Sequence, residues 1–156
     1  MTVQAIPDGY HAVTPYLMVK GGARALDFYK NVFDATVVVR MDMPGGLVAH
    51  AEIKIGDSIV MLADEQPGAI YPGPETLGGT PVGIHLYVPD SDATFAKAIA
   101  AGARQKKPIE DQFYGDRSGT IVDPFGHLWT ISTHKEDVPP EEMKKRMEAM
   151  AKKAGV

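Results

Sequence analysis

The chain contains no cysteine, which removes disulfides, thiolate metal ligands and a cysteine nucleophile together. It has no uninterrupted apolar run near the roughly 18 residues that cross a bilayer. The first residues, MTVQAIPDGYH, show no basic region leading into an apolar stretch, so the expectation is a cytoplasmic protein with no membrane partner. Excess positive charge is also missing. The formal net charge is −4, and no basic tract precedes the C-terminal tail, which argues against nucleic acid as a partner. There is no G-x-G-x-x-G, no P-loop and no G-x-S-x-G, so dinucleotide, nucleotide and serine-hydrolase chemistry have no local support. Tryptophan occurs once.

What is present is ordinary globular material, 44% hydrophobic and 23% charged over 156 residues, enough to bury a sizeable core. The fold class that the pattern predicts is α+β. A strand over 12–20 is broken by Gly21-Gly22, and ARALDFYKNVF keeps Ala25, Leu26, Tyr29 and Phe33 on one face of a helix over 23–33. Strands follow at 35–41, 47–55 and 58–63, joined by Pro44-Gly45-Gly46 and by Gly56-Asp57. Residues 65–81 are so rich in proline and glycine that they predict a surface connection without helix or ladder. Beyond it come a strand at 82–88, a helix over DATFAKAIAAGA capped by Asp90 or Ser91, and a short strand at 103–107 closed by Pro108. Strands at 114–122 and 127–133 complete the series around the turn DPFG, in which Asp123 is expected to cap its own turn.

The two halves overlay at a displacement of 69 positions: Leu17 and Val19 fall on Leu86 and Val88, and residues 58–64 on 127–133. One module of strand, helix and three strands is therefore predicted twice, over 12–64 and 82–134, inside a single domain spanning 1–137. The remaining 138–156 form a helical tail with Glu in its first turn, Lys in its last, and Met143, Met147 and Met150 on one stripe, expected to pack on the body or on a second subunit.

The doubled module, LDFYKNVF, VPDSDATFAKAIAAGA and DPFGHLW together resemble the vicinal oxygen chelate superfamily, the fold of glyoxalase I, bleomycin-resistance proteins and extradiol dioxygenases. HAEIKIGDSIVMLADE and FYGDRSGTIVDPFGHLWTISTHKEDV look most like its PhnB-like branch. The resemblance implies that each module curls its sheet around a concavity with the helices on the other face, and that the chain works as a homodimer. It also implies four metal positions, which by register fall on Thr14, Met61, Gly83 and Thr130. None is His, Asp or Glu, and a thioether and a glycine cannot hold a hard divalent ion, so no cofactor is expected.

Period-two alternation from those positions turns Thr14, Tyr16, Met18, Gly83, His85 and Tyr87 toward the concavity and Leu17, Val19, Ile84, Leu86 and Val88 toward the helices. Ile53 and Ile55 should face the helices, leaving His50 and Glu52 on the cavity side. His50, Glu52 and His85 are the candidates for chemistry. They read as a general base or ligand-orienting imidazole with a carboxylate partner, as a displaced metal site, or as structural residues. Tyr16, Met18, Met61, Tyr87, Tyr114, Arg117 and Trp129 are the candidate ligand contacts. Arg117 would clamp an anion or pair with Asp116. Trp129 is out of phase with Thr130 and enters the cavity only through a bulge after the turn. His127 and His134, at strand ends, read as surface residues. Two functions remain open: a metal-independent small-molecule binding protein of the bleomycin-resistance type, or a glyoxalase-type lyase or isomerase using His50 or His85 with Glu52.

Overall fold

A computed structural model of the chain describes residues 3–155. It divides into two compact units, one running to Val82 and including Asp123–His127, the other holding Gly83–Val122 and the chain from Leu128. The first unit contains β1 (Tyr16–Val19), α1 (Gly22–Phe33), β2 (Thr36–Asp42), β3 (Val48–Ile55), β4 (Ser58–Asp64) and α2 (Pro74–Leu77). The second contains β5 (Gly83–Tyr87), α3 (Ser91–Ala100), β6 (Arg104–Asp111), β7 (Asp116–Val122), β8 (Leu128–His134) and α4 (Pro140–Lys153). Each unit carries one four-stranded mixed sheet, ordered β1-β4-β3-β2 and β5-β8-β7-β6. In each, the first and last strands of the module run parallel and the other pairs antiparallel.

The repeat appears in the register. Tyr16 lies opposite Met61 and His85 opposite Thr130, both pairs separated by the same 69 positions. The helix starts are built alike as well. Gly22 N–H donates to Asp64 Oδ1 in the first unit, and Ser91 N–H donates to Thr133 Oγ1 in the second, again 69 positions on. A residue on the last strand thus satisfies one of the orphan donors that opens each long helix. Asp64 is the stronger device, because it also accepts from the N–H groups of Gly21 and Val48, each at 2.8 Å. Position 22 must be glycine, since a Cβ there would lie 2.7 Å from Asp64 Oδ2 and 2.8 Å from Val48 Cβ.

In the first unit Ala25, Leu26, Tyr29, Val32 and Phe33 of α1 are buried, as are Leu17, Val19, Ala51, Ile53, Val60 and Leu62 of its sheet. Each large side chain so buried contributes about 1.5–3 kcal/mol. The DPFG turn docks on the same helix. Phe125 is buried beside Phe28 and Tyr29, and the Tyr29 hydroxyl donates to Asp123 Oδ2 at 2.6 Å. Asp123 also accepts from the N–H groups of Phe125 and His127, which is the turn-capping role its position predicted. In the second unit Phe95 of α3 lies over Gly119, where an added Cβ would come within 2.9 Å of the ring, and Ile121, Trp129 and Ile131 share that sheet face. Among the described residues no helix is long and apolar enough to cross a membrane.

Several boundaries differ from the expected ones. The connection between modules is not helix-free. Residues 74–77 form α2, with Pro74 at its first turn and Gly78 in the left-handed conformation behind it, an arrangement that suits both residues at helix ends. The strand expected to close at Pro108 runs on to Asp111 as β6, because it is an edge strand whose pairing is irregular between Gln105 and Lys107 and between Lys107 and Glu110. Proline is tolerated at such a bulge, where no ladder N–H is required. The first strand begins at Tyr16, so Thr14 lies ahead of it, and the strand expected from residue 114 begins at Asp116 after a turn over 112–115.

Candidate functional site

On the face of the first sheet turned away from α1, Tyr16 lies opposite Met61, Met61 opposite Glu52, and Glu52 opposite Val39. His50 stands two residues from Glu52 on that face. Spacing on one strand face made contact between them possible without requiring it, and the structure makes it. His50 Nε2 lies 3.1 Å from Glu52 Oε1, and His50 Nδ1 lies 2.8 Å from the Tyr16 hydroxyl. An ionised carboxylate can only accept, so the bond to Glu52 is donated by Nε2–H, which leaves Nδ1 to accept from the Tyr16 hydroxyl. The second oxygen of Glu52 accepts from the Tyr10 hydroxyl. Glu52 is buried, at 9% exposure, and these two partners hold it inside. Partial burial raises the pKa of Tyr16 and keeps its phenol protonated.

Tyr16 belongs at the same time to a cavity of about 410 Å³ against β1. Its walls are mostly apolar and include Met18, Tyr71, Pro72, Pro74 and Leu77, closed on one side by His127. The segment 65–80 is therefore a wall as well as a connection. Glu65 fixes it by accepting from Gly73 N–H and from the Thr76 hydroxyl, both at 2.7 Å, and these bonds hold its carboxyl below the ordinary range. His127, read from sequence as a surface residue, lines the cavity and bonds through Nε2 to the Met18 carbonyl at 2.9 Å. Tyr10 and Tyr71 stand in no local motif, and the motif that contains His127, DPFGHLW, marks a turn and a strand rather than a cavity wall. Only the apolar composition around Tyr71 and the position of His127 behind the turn could have pointed to two of them.

In the second unit His85, Thr130 and Thr120 form the corresponding row on the face away from α3. They line a smaller cavity of about 210 Å³ with Lys107, Tyr114 and Ser118. The ring of His85 leans on Tyr87, 4.8 Å between centroids. The Tyr87 hydroxyl donates to Asp116 Oδ2 at 2.8 Å, and this bond raises the Tyr87 pKa. Asp116, buried at 4% exposure, bonds His134 Nδ1 through its other oxygen at 2.8 Å.

Two expected ligand contacts lie elsewhere. Arg117 alternates out of phase with Asp116 and Ser118. It forms a bidentate pair with Asp92 of α3, at 2.7 and 2.8 Å, and bonds Asp111 at 3.2 Å, so neither the anion clamp nor the pairing with Asp116 is realised. Trp129 is 1% exposed on the helix side, because no bulge follows the DPFG turn and it pairs regularly with Ile121.

The four positions at which relatives would hold a metal offer one hydroxyl on each of Thr14 and Thr130, a thioether at Met61 and nothing at Gly83, a donor set that does not fit a divalent ion. Among the described residues no group of three or more His, Asp or Glu side chains could hold one at displaced positions either.

Two βαβββ units, each with a helix-covered face and an open face lined by polar and aromatic side chains, define a fold of the glyoxalase type. The chain belongs to the Glyoxalase/Bleomycin resistance protein/Dioxygenase superfamily, whose family model matches residues 10–131. It is 42% identical over 139 residues to an uncharacterized protein of Mycobacterium tuberculosis, covering 87% of this chain and 82% of that relative. The crystal structure of TioX from Micromonospora sp. ML1 matches with a TM-score of 0.63 at 28% identity, over 80% of this chain and 98% of that one. A PhnB protein from Bacillus cereus matches with a TM-score of 0.62 at 20% identity, over 79% of this chain and 99% of that one, a likeness of fold alone.

Proposed function

We propose that the protein binds a small aromatic or amphipathic molecule without a metal, in the cavity against β1, with the Tyr16 hydroxyl as the polar anchor. The observation that carries this reading is that both ring nitrogens of His50 are engaged, one by Tyr16 and one by Glu52. A general base needs a free lone pair aimed at the substrate proton, and His50 has none to offer. Its work is to hold the Tyr16 ring in one orientation at the cavity wall, where apolar surface and a single fixed hydroxyl are what a small-ligand site requires. The raised pKa of Tyr16 supports the same reading, because a phenol that stays protonated anchors a ligand and does not abstract a proton.

The alternative, a lyase or isomerase of glyoxalase type, draws on the same hydrogen-bond chain read as a proton relay from Tyr16 through His50 to Glu52. A thermal-shift screen with small aromatic and amphipathic compounds separates the two. For a binding protein, a hit raises the melting temperature, is recovered chemically unchanged after prolonged incubation, and loses affinity in Tyr16→Phe. Conversion of the compound by wild type, abolished in His50→Gln, would establish the relay.

A further inference from the structure

The smaller cavity, in the second unit, has a chemistry of its own. Its walls are almost wholly polar, and among the described residues no Asp or Glu contributes to them. Lys107 supplies a cation, while His85, Tyr114 and Ser118 add groups able to donate hydrogen bonds. Among the described residues neither the Lys107 ammonium, the His85 ring nitrogens nor the Tyr114 hydroxyl has a hydrogen-bond or ion-pair partner. On the strand beside Ser118, outside the cavity lining, one further hydroxyl lacks a partner. Ser132, opposite Ser118 on the neighbouring strand and fully buried, has no partner for its hydroxyl.

Lys107 is aimed at this face by the backbone. It pairs with Thr120 between two register shifts in β6, so the bulges that admit Pro108 also set the direction of the lysine, and its neighbour Lys106 is left outside the ladder. The opposite wall is held from behind. The loop carrying Tyr114 is tied by the Gly115 carbonyl, which accepts from the N–H groups of Lys135 and Glu136. It is tied again by Arg146 of α4, which bonds the Phe113 carbonyl at 3.4 Å and grips Glu136 with two bonds at 2.8 and 2.9 Å. The donors therefore converge on a preformed space, a condition that lowers the ordering cost of binding.

We propose that this cavity binds the oxyanion head, carboxylate or phosphate, of a small hydrophilic molecule, with Lys107 as counter-charge and His85, Tyr114 and Ser118 as hydrogen-bond donors. The site is separate in residues and in chemistry from the apolar cavity against β1, so either can fail without the other.

The test is isothermal titration of the full chain with sodium phosphate and with sodium glycolate, in buffers matched in ionic strength with chloride. Saturable binding of at least one of them is expected, at least tenfold weaker in Lys107→Met, several-fold weaker in Tyr114→Phe, and unchanged in Lys106→Met. Tighter binding of phosphate assigns a phosphoryl head, and tighter binding of glycolate a carboxylate. Equal weakening in Lys106→Met and Lys107→Met would reduce the effect to general surface charge and overturn the proposal, as would the absence of saturation with both anions. Lys106 and Lys107 are both exposed, so neither variant disturbs the core.

Discussion

Replacing Asp64 with alanine removes the one acceptor shared by three backbone N–H groups, those of Gly21, Gly22 and Val48, each bonded at 2.8 Å. The Gly22 and Val48 bonds are buried, while the Gly21 N–H is partly exposed and can turn to water. Leaving a buried donor without a partner costs about 1–3 kcal/mol, so the two together cost about 4 kcal/mol, with a few tenths more for the negative charge lost at the start of α1. That is a large part of the 5–15 kcal/mol by which a domain of this kind is stable, and it corresponds to a fall of about 8–16 °C in melting temperature. Asp64→Asn keeps one acceptor oxygen and should lose about half as much. The assay is urea unfolding followed by circular dichroism, in which the midpoint falls at unchanged slope. A loss below about 1 kcal/mol for Asp64→Ala, or an equal loss for the two variants, would refute the view that this carboxylate organises the helix start and the third strand together.

Thr133→Val removes the matching device in the second unit, where one buried N–H loses its acceptor, and should cost about 1–3 kcal/mol in the same assay. Arg117→Ala should leave the urea midpoint almost where it is despite its three hydrogen bonds, because the pairs with Asp92 and Asp111 lie in solvent; a clear fall would show that Arg117 has another role. His134 has its pKa raised above 6.5, first by Asp116 and then by Asp137. Its protonated form is therefore favoured in the folded state, and the stabilisation is complete below the unfolded pKa and lost as pH rises through the folded one. The stability gap between wild type and His134→Gln, read from urea midpoints, should be wider at pH 6 than at pH 8.5. A gap that is constant or widens with pH contradicts the assignment.

The repeat was legible because it rests on local chemistry. β-branched and aromatic strands, Gly21-Gly22, Asp90 ahead of its helix and the DPFG turn each fix their own backbone, and the constant displacement follows from them. Alternation likewise put His50 and Glu52 on the face of Tyr16 and Met61, because a strand has only two faces. It also separates Arg117 and Trp129 from that surface in the second unit. Arg117 is no clamp in the cavity because it stands out of phase with Ser118 and Thr120 and so reaches Asp92 of α3. The signal for α2 was present in Pro74 and Gly78 but was outweighed by the composition around them. Tyr10 was beyond reach, since an irregular lead-in has no period and its partner Glu52 lies 42 positions away. Nor does a sequence show that bulges flanking Lys107 re-aim it, because a bulge depends on the partner strand.

The central claim is metal-independent binding at the cavity against β1. It is tested most directly by calorimetric titration of a compound found in the thermal-shift screen, using protein dialysed against EDTA, before and after addition of nickel or zinc. The account predicts the same affinity in all cases, with the compound recovered intact and its binding weakened in Tyr16→Phe. Binding that vanishes on dialysis and returns with the metal would contradict it.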